Sequence, residues 1–324
     1  MEIIGYEEKY DEAIKNIDSV IYFNIKYHQD VISESVCLAV DKEEVLGVGF
    51  LKAGATFLKV EREALPYYFI HAEYLACEKL DAESQVLASG MLLEELKYRF
   101  DLIQKNYPNR RLILRLFCNA EKTAYLEFLM SYGFRPMRIS PIMVYNLLTD
   151  NSVDDENLTE QAANDGIVQS DRIILKNGEI LEIREMNPED EFFAGEYTIT
   201  NREAFEVEDS INELRFTMGG QDAHVYAVMK GKRVIAALTT WCVFEGRSAT
   251  ENIFCAKDYR NKGVTSTLIK YVLGILKNKG YETASLTVFG DNQPAMQLYL
   301  KLGYEVEGSI LECHYERDYK NIGY

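Results

Sequence analysis

The sequence predicts an α/β (α+β) protein made of two tandem copies of one fold, each a mixed, mostly antiparallel sheet flanked by helices. Three observations predict it. The chain has 324 residues, and single hydrophobic cores stop growing beyond roughly 250–300 residues, so two domains are expected. Between Thr149 and Ser170 the sequence turns polar and acidic, with Asp150, Asp154, Asp155, Glu156, Glu160 and Asp165 and no Lys or Arg, which reads as a linker. The two halves on either side have nearly equal length and carry a faint self-similarity. The expected division is 1–149 for the first domain, 150–170 for the acidic linker and 171–324 for the second domain.

The elements follow in order. Leu38-Ala39-Val40-Asp41-Lys42 and Val45-Leu46-Gly47-Val48-Gly49-Phe50 read as two strands joined by a tight polar turn. Tyr226-Ala227-Val228-Met229-Lys230 and Val234-Ile235-Ala236-Ala237-Leu238 repeat the pattern in the second half. There, residues 173–185 and 223–256 alternate or run apolar and break at Lys230-Gly231-Lys232 and Glu245-Gly246-Arg247, as in an antiparallel meander. Glu189 to Met218 reads as helical. From Val264 to Lys279 the residues Val264, Leu268, Ile269, Val272, Leu273 and Leu276 recur at helical spacing, and Lys277, Lys279 and Gly280 suit the helix end. A strand from Ala284 to Phe289, a helix near Pro294–Leu302 stopped by Gly303, and a strand from Tyr304 to Tyr315 complete the half. Its second helix parallels Tyr125–Phe134 of the first half.

Composition narrows the function. With 47% hydrophobic and 27% charged residues the chain builds real cores. Its 52 acidic and 35 basic side chains leave a net charge of −17, a field that repels nucleic acid and anionic membranes, so neither is an expected partner. The start lacks a signal-peptide pattern and no run approaches the roughly 20 apolar residues of a membrane helix, so a cytoplasmic protein, monomer or homodimer, is expected. Cys37, Cys77, Cys118, Cys242, Cys255 and Cys313 stand singly among mostly apolar neighbours, as buried free thiols do in a reducing compartment. The four histidines are scattered too, and no metal site is expected.

The segment that carries chemistry is Asn252-Ile253-Phe254-Cys255-Ala256-Lys257-Asp258-Tyr259-Arg260-Asn261-Lys262-Gly263-Val264-Thr265, a strand that delivers a polar turn to a helix N-terminus. Such a turn leaves backbone N–H groups unpaired, and the helix dipole adds to their pull on an anion. Gly263 would let a diphosphate approach the backbone, and Arg260 and Lys262 would add charge. A plain strand-to-helix turn fits the same residues.

Arg260, Gly263 and Thr265, followed by Asn292, Ala295, Leu298, Tyr299, Lys301, Gly303 and Tyr304, resemble the two motifs of the GNAT superfamily of acyl-CoA-dependent N-acyltransferases. Thr265 departs from the usual glycine or alanine. The resemblance covers about residues 172–318, and the tandem layout is similar to the two-domain, mycothiol synthase type of member. It implies acetyl-CoA as cosubstrate and a primary amine of a small molecule or peptide as acceptor, attacked directly in a ternary complex. It further implies that amides from Asn261 through Lys262, Gly263 and Val264 to Thr265 hold the diphosphate, that the backbone of Phe254, Cys255 and Ala256 pairs with pantetheine, and that Asn292 contacts it. Tyr299 resembles the family's proton donor and Glu251 the base that some members place on this strand. Outside the resemblance, Tyr299 also fits an apolar helical stripe, Asn292 a helix cap, and Glu251 a solvent-facing charge. In the first half the matching place reads Glu78-Lys79-Leu80-Asp81-Ala82-Glu83-Ser84-Gln85, without glycine and rich in acid, so that half is expected to have lost the cofactor and to support its neighbour. The competing readings are a non-catalytic acyl-CoA-binding regulatory protein and, against the acidic charge, an aminoacyl transferase of tandem GNAT-like fold.

Overall fold

The computed structural model describes residues 1–28, 30–53, 68–149, 167–169, 171–205 and 210–316. The expected linker 150–170 lies outside the described residues, apart from the short strand β7 (Ile167–Gln169).

The chain divides into a first unit, Met1–Ile139 with Ile310–Tyr324, and a second unit, Ser140–Ser309. This differs from the division read in the sequence at residues 140–149 and 310–324. The reason lies in two long strands. β6 (Arg135–Asn146) ends by pairing antiparallel with β13 (Thr283–Thr287), from Ile142↔Thr287 to Asn146↔Thr283. β14 (Glu305–Tyr315) ends by pairing antiparallel with β5 (Leu112–Asn119), from Ile310↔Asn119 to Tyr315↔Leu114. Each strand thus finishes in the sheet of the other unit, which a boundary placed by local polarity cannot register.

In the first unit the sheet runs β1 (Glu2–Gly5), β2 (Cys37–Asp41), β3 (Glu44–Ala53), β4 (Tyr68–Ala76), β5, β14. Only β4 and β5 are parallel, and the helix α3 (Ala82–Asn106) connects them, as a parallel crossover requires. The β2–β3 turn has Lys42 and Glu43 at φ 47° and 74°, the two left-handed residues that match the twist of a two-residue hairpin. α3 buries Ala88, Leu92, Leu93, Leu96 and Phe100 in one core with Leu114, Leu116, Leu129 of α4 (Thr123–Ser131) and Phe134. A separate core joins Ile14 of α1 (Asp11–Ile17) to Leu38, Val40, Val45 and Val48, with Ile21 of α2 (Ser19–Tyr27) packed on it.

In the second unit the sheet runs β7, β8 (Arg172–Ile174), β9 (Ile180–Met186), β10 (His224–Lys230), β11 (Arg233–Phe244), β12 (Arg247–Cys255), β13, β6. Again one neighbouring pair is parallel, β12 with β13, joined through α7 (Val264–Asn278). The apolar stripe of α7 buries Val264, Leu268, Ile269, Val272 and Leu276 against Val228, Ile235 and Leu238. The region expected to be helical holds α5 (Glu191–Phe205) and α6 (Ser210–Thr217), and Phe193 and Tyr197 of α5 pack with Val225, Ala227 and Phe254. α8 (Gln293–Lys301) precedes β14. The two units repeat one fold, as the self-similarity predicts. All six cysteines are free; Cys77 and Cys242 are half-buried rather than buried because they sit at strand ends. Among the described residues no helix is long and apolar enough to cross a membrane, and no group of three or more metal-ligating side chains gathers.

Candidate active site

The site grows from a strand that parts from its neighbour. β12 and β13 pair only from Arg247↔Thr283 to Ala249↔Ser285, after which β13 stays with β6 and β12 with β11. From Thr250 onward the β13-facing edge of β12 is therefore outside the ladder. Two side chains cross the opening: Thr250 Oγ1 donates to Ser285 O (3.2 Å), and Glu251 Oε1 accepts from the Thr287 N–H (2.8 Å). Beside Glu251 the strand bulges. Ala237 pairs with Phe254 and Thr239 with Glu251, so Asn252 and Ile253 together face Leu238, with Asn252 at φ 51°.

Farther along, the Ala256 N–H donates to Ile235 O (2.8 Å). Antiparallel ladders alternate, so the backbone of Cys255 faces the opening while that of Ala256 is held by β11. Of the expected pantetheine strand, Cys255 alone is shown turned to the open side, and its carbonyl already accepts from Arg260 Nε (3.1 Å). The Phe254 ring is buried edge-on to Tyr197 at 5.1 Å.

The turn after β12 alternates handedness. Arg260 is extended (φ −64°, ψ 150°), Asn261 is left-handed (φ 59°), and Gly263, left-handed at φ 77°, is the N-cap of α7 with no side chain to cap it. The first helical hydrogen bond runs from Thr267 N–H to Gly263 O (3.0 Å), so the amides of Val264, Thr265 and Ser266 precede any intrahelical acceptor. Left-handed residues of this kind turn successive N–H groups into one concavity, a seat for an anion. The loop is anchored from outside by Arg233, whose guanidinium donates to both Asp258 oxygens (2.8 and 3.0 Å). Arg260, Asn261 and Lys262 are exposed; Lys262 Nζ lies 4.9 Å from the Tyr259 ring centre. Thr265 hydrogen-bonds the Cys255 thiol, whose pKa burial raises and this bond pulls back down.

Two titratable groups lie at the opening. Burial pushes the Glu251 carboxyl up to about 7, against the downward pull of the Thr287 N–H. Glu251 is thus held by a backbone amide rather than standing free as a solvent-facing charge. Tyr299 of α8 is buried, 5.7 Å from the Tyr304 ring, and no hydrogen bond to its Oη forms among the described residues. Burial first, then the Glu251 charge, raise its phenol well above the usual range. Asn292 caps α8, its Oδ1 accepting from Ala295 N–H (3.3 Å). The structure thus brings Glu251 and Tyr299 into electrostatic contact and ties Cys255 to Arg260 and Thr265.

Residues 183–304 match the acetyltransferase (GNAT) family. The match lies within the second unit. It is similar to the uncharacterized N-acetyltransferase YobR of Bacillus subtilis, 34% identical over 87 residues, which is 27% of this chain and 34% of YobR. It is also similar to the L-amino acid N-acetyltransferase AaaT of Escherichia coli, 38% identical over 52 residues, 16% of this chain and 32% of AaaT. The chain spans about a third of the length of these curated relatives. Among solved structures it shares its fold with a tandem GNAT protein of the clavulanic acid pathway, at a TM-score of 0.63, 10% identity, and 97% and 98% of the two chains covered. A GNAT protein of Sphaerobacter thermophilus gives 0.62, 12%, and 97% and 95%.

The repeat of the fold in the first unit lacks both features of the second. At the start of α3 the Asp81 carboxylate accepts from Ser84 N–H (2.9 Å) and Ser84 Oγ (2.7 Å), so a side chain fills the place that Gly263 leaves open. Its β3–β4 ladder runs from Gly47↔Ala76 to Ala53↔Ile70 without a bulge. Sequence reasoning missed Thr250, Thr287 and the Asn252 bulge. The signal for the bulge was an asparagine inside an apolar strand, the residue type after glycine that most readily turns left-handed.

Proposed function

We propose that the second unit is an N-acetyltransferase that moves the acetyl group of acetyl-CoA to a primary amine of a small molecule or peptide, by direct attack in a ternary complex. The observation that carries this reading is the pairing of an uncapped helix N-terminus, at Gly263, with a parted, bulged strand ending in Cys255. The amides of Val264, Thr265 and Ser266 suit the diphosphate, with Arg260 and Asn261 on its rim; Lys262 supplies positive charge. Cys255 and the bulge offer backbone groups along the opening, where a pantetheine arm would lie. Asn292, whose Oδ1 caps α8, is read as a further contact to that arm.

An alkyl ammonium has a pKa near 10.4, so about one amine in a thousand is neutral at pH 7 and able to attack a thioester. Glu251, with a pKa of about 7, is poised to accept that proton, because a base works best when its pKa is near the working pH. Tyr299, kept protonated, is suited to give a proton to the departing thiolate. The first unit has the Asp81 cap in place of a diphosphate seat and serves as a support. A regulatory protein that binds acyl-CoA without turnover is the second reading; it would use the same amides and the exposed Arg260 and Lys262. Coenzyme A release from acetyl-CoA, measured with a panel of amines, amino acids, polyamines, aminoglycosides and peptides, decides between them. Release that depends on one class of amine supports the enzyme; binding of acetyl-CoA with no release for any class supports the regulator.

A further inference from the structure

Tyr259, in the short turn Lys257–Tyr259 that leads to Gly263, is tied to two segments far from it in sequence. It is 4% exposed, and its hydroxyl donates to Glu179 Oε1 and accepts from Lys230 Nζ (3.0 Å). Lys230 Nζ also meets Glu179 Oε1 at 2.7 Å, which closes a triangle. Glu179 stands in the tight β8–β9 turn, where its N–H donates to Asn177 Oδ1 (3.1 Å) and its carbonyl accepts from the Leu175 N–H (2.8 Å). Lys230 is the last residue of β10. Hydrogen bonds from Lys230 and Tyr259 hold the Glu179 carboxyl down at about 2, so it stays ionised. Burial first, then the bond to Glu179, raise the Tyr259 phenol, so it keeps the proton that it donates.

The neighbouring residues are tied as well. Arg233 donates to both Asp258 oxygens, and Arg260 Nε donates to Cys255 O. Asp258, Tyr259 and Arg260 are thus fixed one after another, and the left-handed Asn261 and Gly263 follow directly. A seat made of backbone amides gains from this, because any ordering of the loop that is left to the moment of binding is subtracted from the affinity. The Glu179–Lys230 pair contributes little by itself, since the Lys230 side chain is 51% exposed. The buried Tyr259 hydroxyl is the decisive member, because a buried hydroxyl left unpaired costs its full desolvation.

The first unit supplies an internal comparison. Its β2–β3 hairpin has its bulge at the same place, so the pair Asp41↔Glu44 stands where the second unit has Lys230↔Arg233. Both cations that tie the loop in the second unit are acids in the first, and there the Asp81 cap replaces the seat. Ties and seat are lost together. We propose that Glu179, Lys230 and Tyr259 are positioning residues, a latch that holds the diphosphate loop of the second unit in its binding shape before acetyl-CoA arrives. The inference rests on the reading that acetyl-CoA binds this loop.

Titration calorimetry of acetyl-CoA into the full chain, with amide hydrogen exchange of the ligand-free protein, tests it. Tyr259→Phe keeps the ring and changes no charge; its Kd is expected to rise about three- to tenfold, and the amides of residues 261–265 to exchange faster while those of 268–278 in α7 keep their protection. Glu179→Leu is the sharper variant. By charge alone, removing an acid near the seat strengthens the binding of an anion, whereas the latch predicts weakening of the same size as in Tyr259→Phe. The double variant should bind no more weakly than the weaker single one, because both remove the same bond. Tighter binding in Glu179→Leu, or a Kd within twofold of wild type in Tyr259→Phe, overturns the latch and leaves the acetyl-CoA site standing. A wild-type chain that does not bind acetyl-CoA overturns the site and the latch together.

Discussion

Replacing Glu251 by Gln keeps the side chain's shape and its capacity to accept from the Thr287 N–H, and removes only the titration. In the wild type the carboxyl titrates at about 7 rather than at 4.5. As the base in the complex, it makes kcat rise with pH and level off above about 7. In Glu251→Gln that inflection should vanish, kcat at pH 7 should fall by about 10²–10⁴, and the rate should keep climbing towards the pKa of the amine itself. The same shift has a stability consequence. A carboxyl whose folded pKa is raised holds its proton more tightly in the folded state, so its contribution is full below pH 4.5 and is lost as pH rises through 7. At about 1.4 kcal/mol per pH unit this amounts to at most about 3 kcal/mol, less to the extent that water reaches the half-buried group. Urea unfolding at pH 5 and pH 8 should therefore show the wild type losing more stability than Glu251→Gln over that interval. A wild-type kcat profile with no inflection between pH 6 and 8, or a Gln variant that keeps it, would refute the assignment of Glu251 as base.

Tyr299→Phe retains the ring contact with Tyr304 and removes a hydroxyl that has no hydrogen bond among the described residues. It should lower kcat about a hundredfold or more while acetyl-CoA affinity and melting temperature stay near wild type; nearly full turnover would leave Tyr299 as a core residue. Asn252→Gly should keep activity, because glycine adopts φ 51° freely, whereas Asn252→Val should lower both kcat and stability by about 1–2 kcal/mol of backbone strain; equal activity in the two variants would show that the bulge is dispensable. Asp81→Ala should lower the melting temperature of the first unit without creating a second acetyl-CoA site, since removing the cap restores neither a left-handed glycine nor a bulge; a second site would contradict that.

The helices and strands of the second unit were legible because their cues are local: the spacing of Val264, Leu268 and Val272, the break at Gly303, and the polar turn at Arg260–Gly263. The duplication and its fold class follow from the same cues read twice. What stayed hidden is what the chain makes at a distance. The ends of β6 and β14 join sheets by pairing with residues more than a hundred positions away, and no local pattern marks where a strand changes its sheet. Glu251 was picked out as a carboxylate in a strand, but its hold on the Thr287 N–H depends on where β12 and β13 part. The acid at Glu78–Glu83 was visible as an obstacle to a diphosphate; that Asp81 acts as a helix cap needed the backbone geometry. The histidines looked scattered, yet the first-unit sheet brings His71 to Arg115, and His314 to the same Glu312 oxygen that Arg115 holds.

The central claim is that acetyl-CoA binds the second unit, at the helix end that Gly263 leaves uncapped. Gly263→Asp tests it most directly, because an aspartate there sets a side chain and a negative charge against the phosphates, at a cost of about 1 kcal/mol of left-handed backbone strain. Titration calorimetry of acetyl-CoA into the full chain should show one site per chain in the wild type and none in Gly263→Asp, with the melting temperature of the variant within a few degrees of wild type. Two sites in the wild type, or one site of unchanged affinity in the variant, would contradict the account.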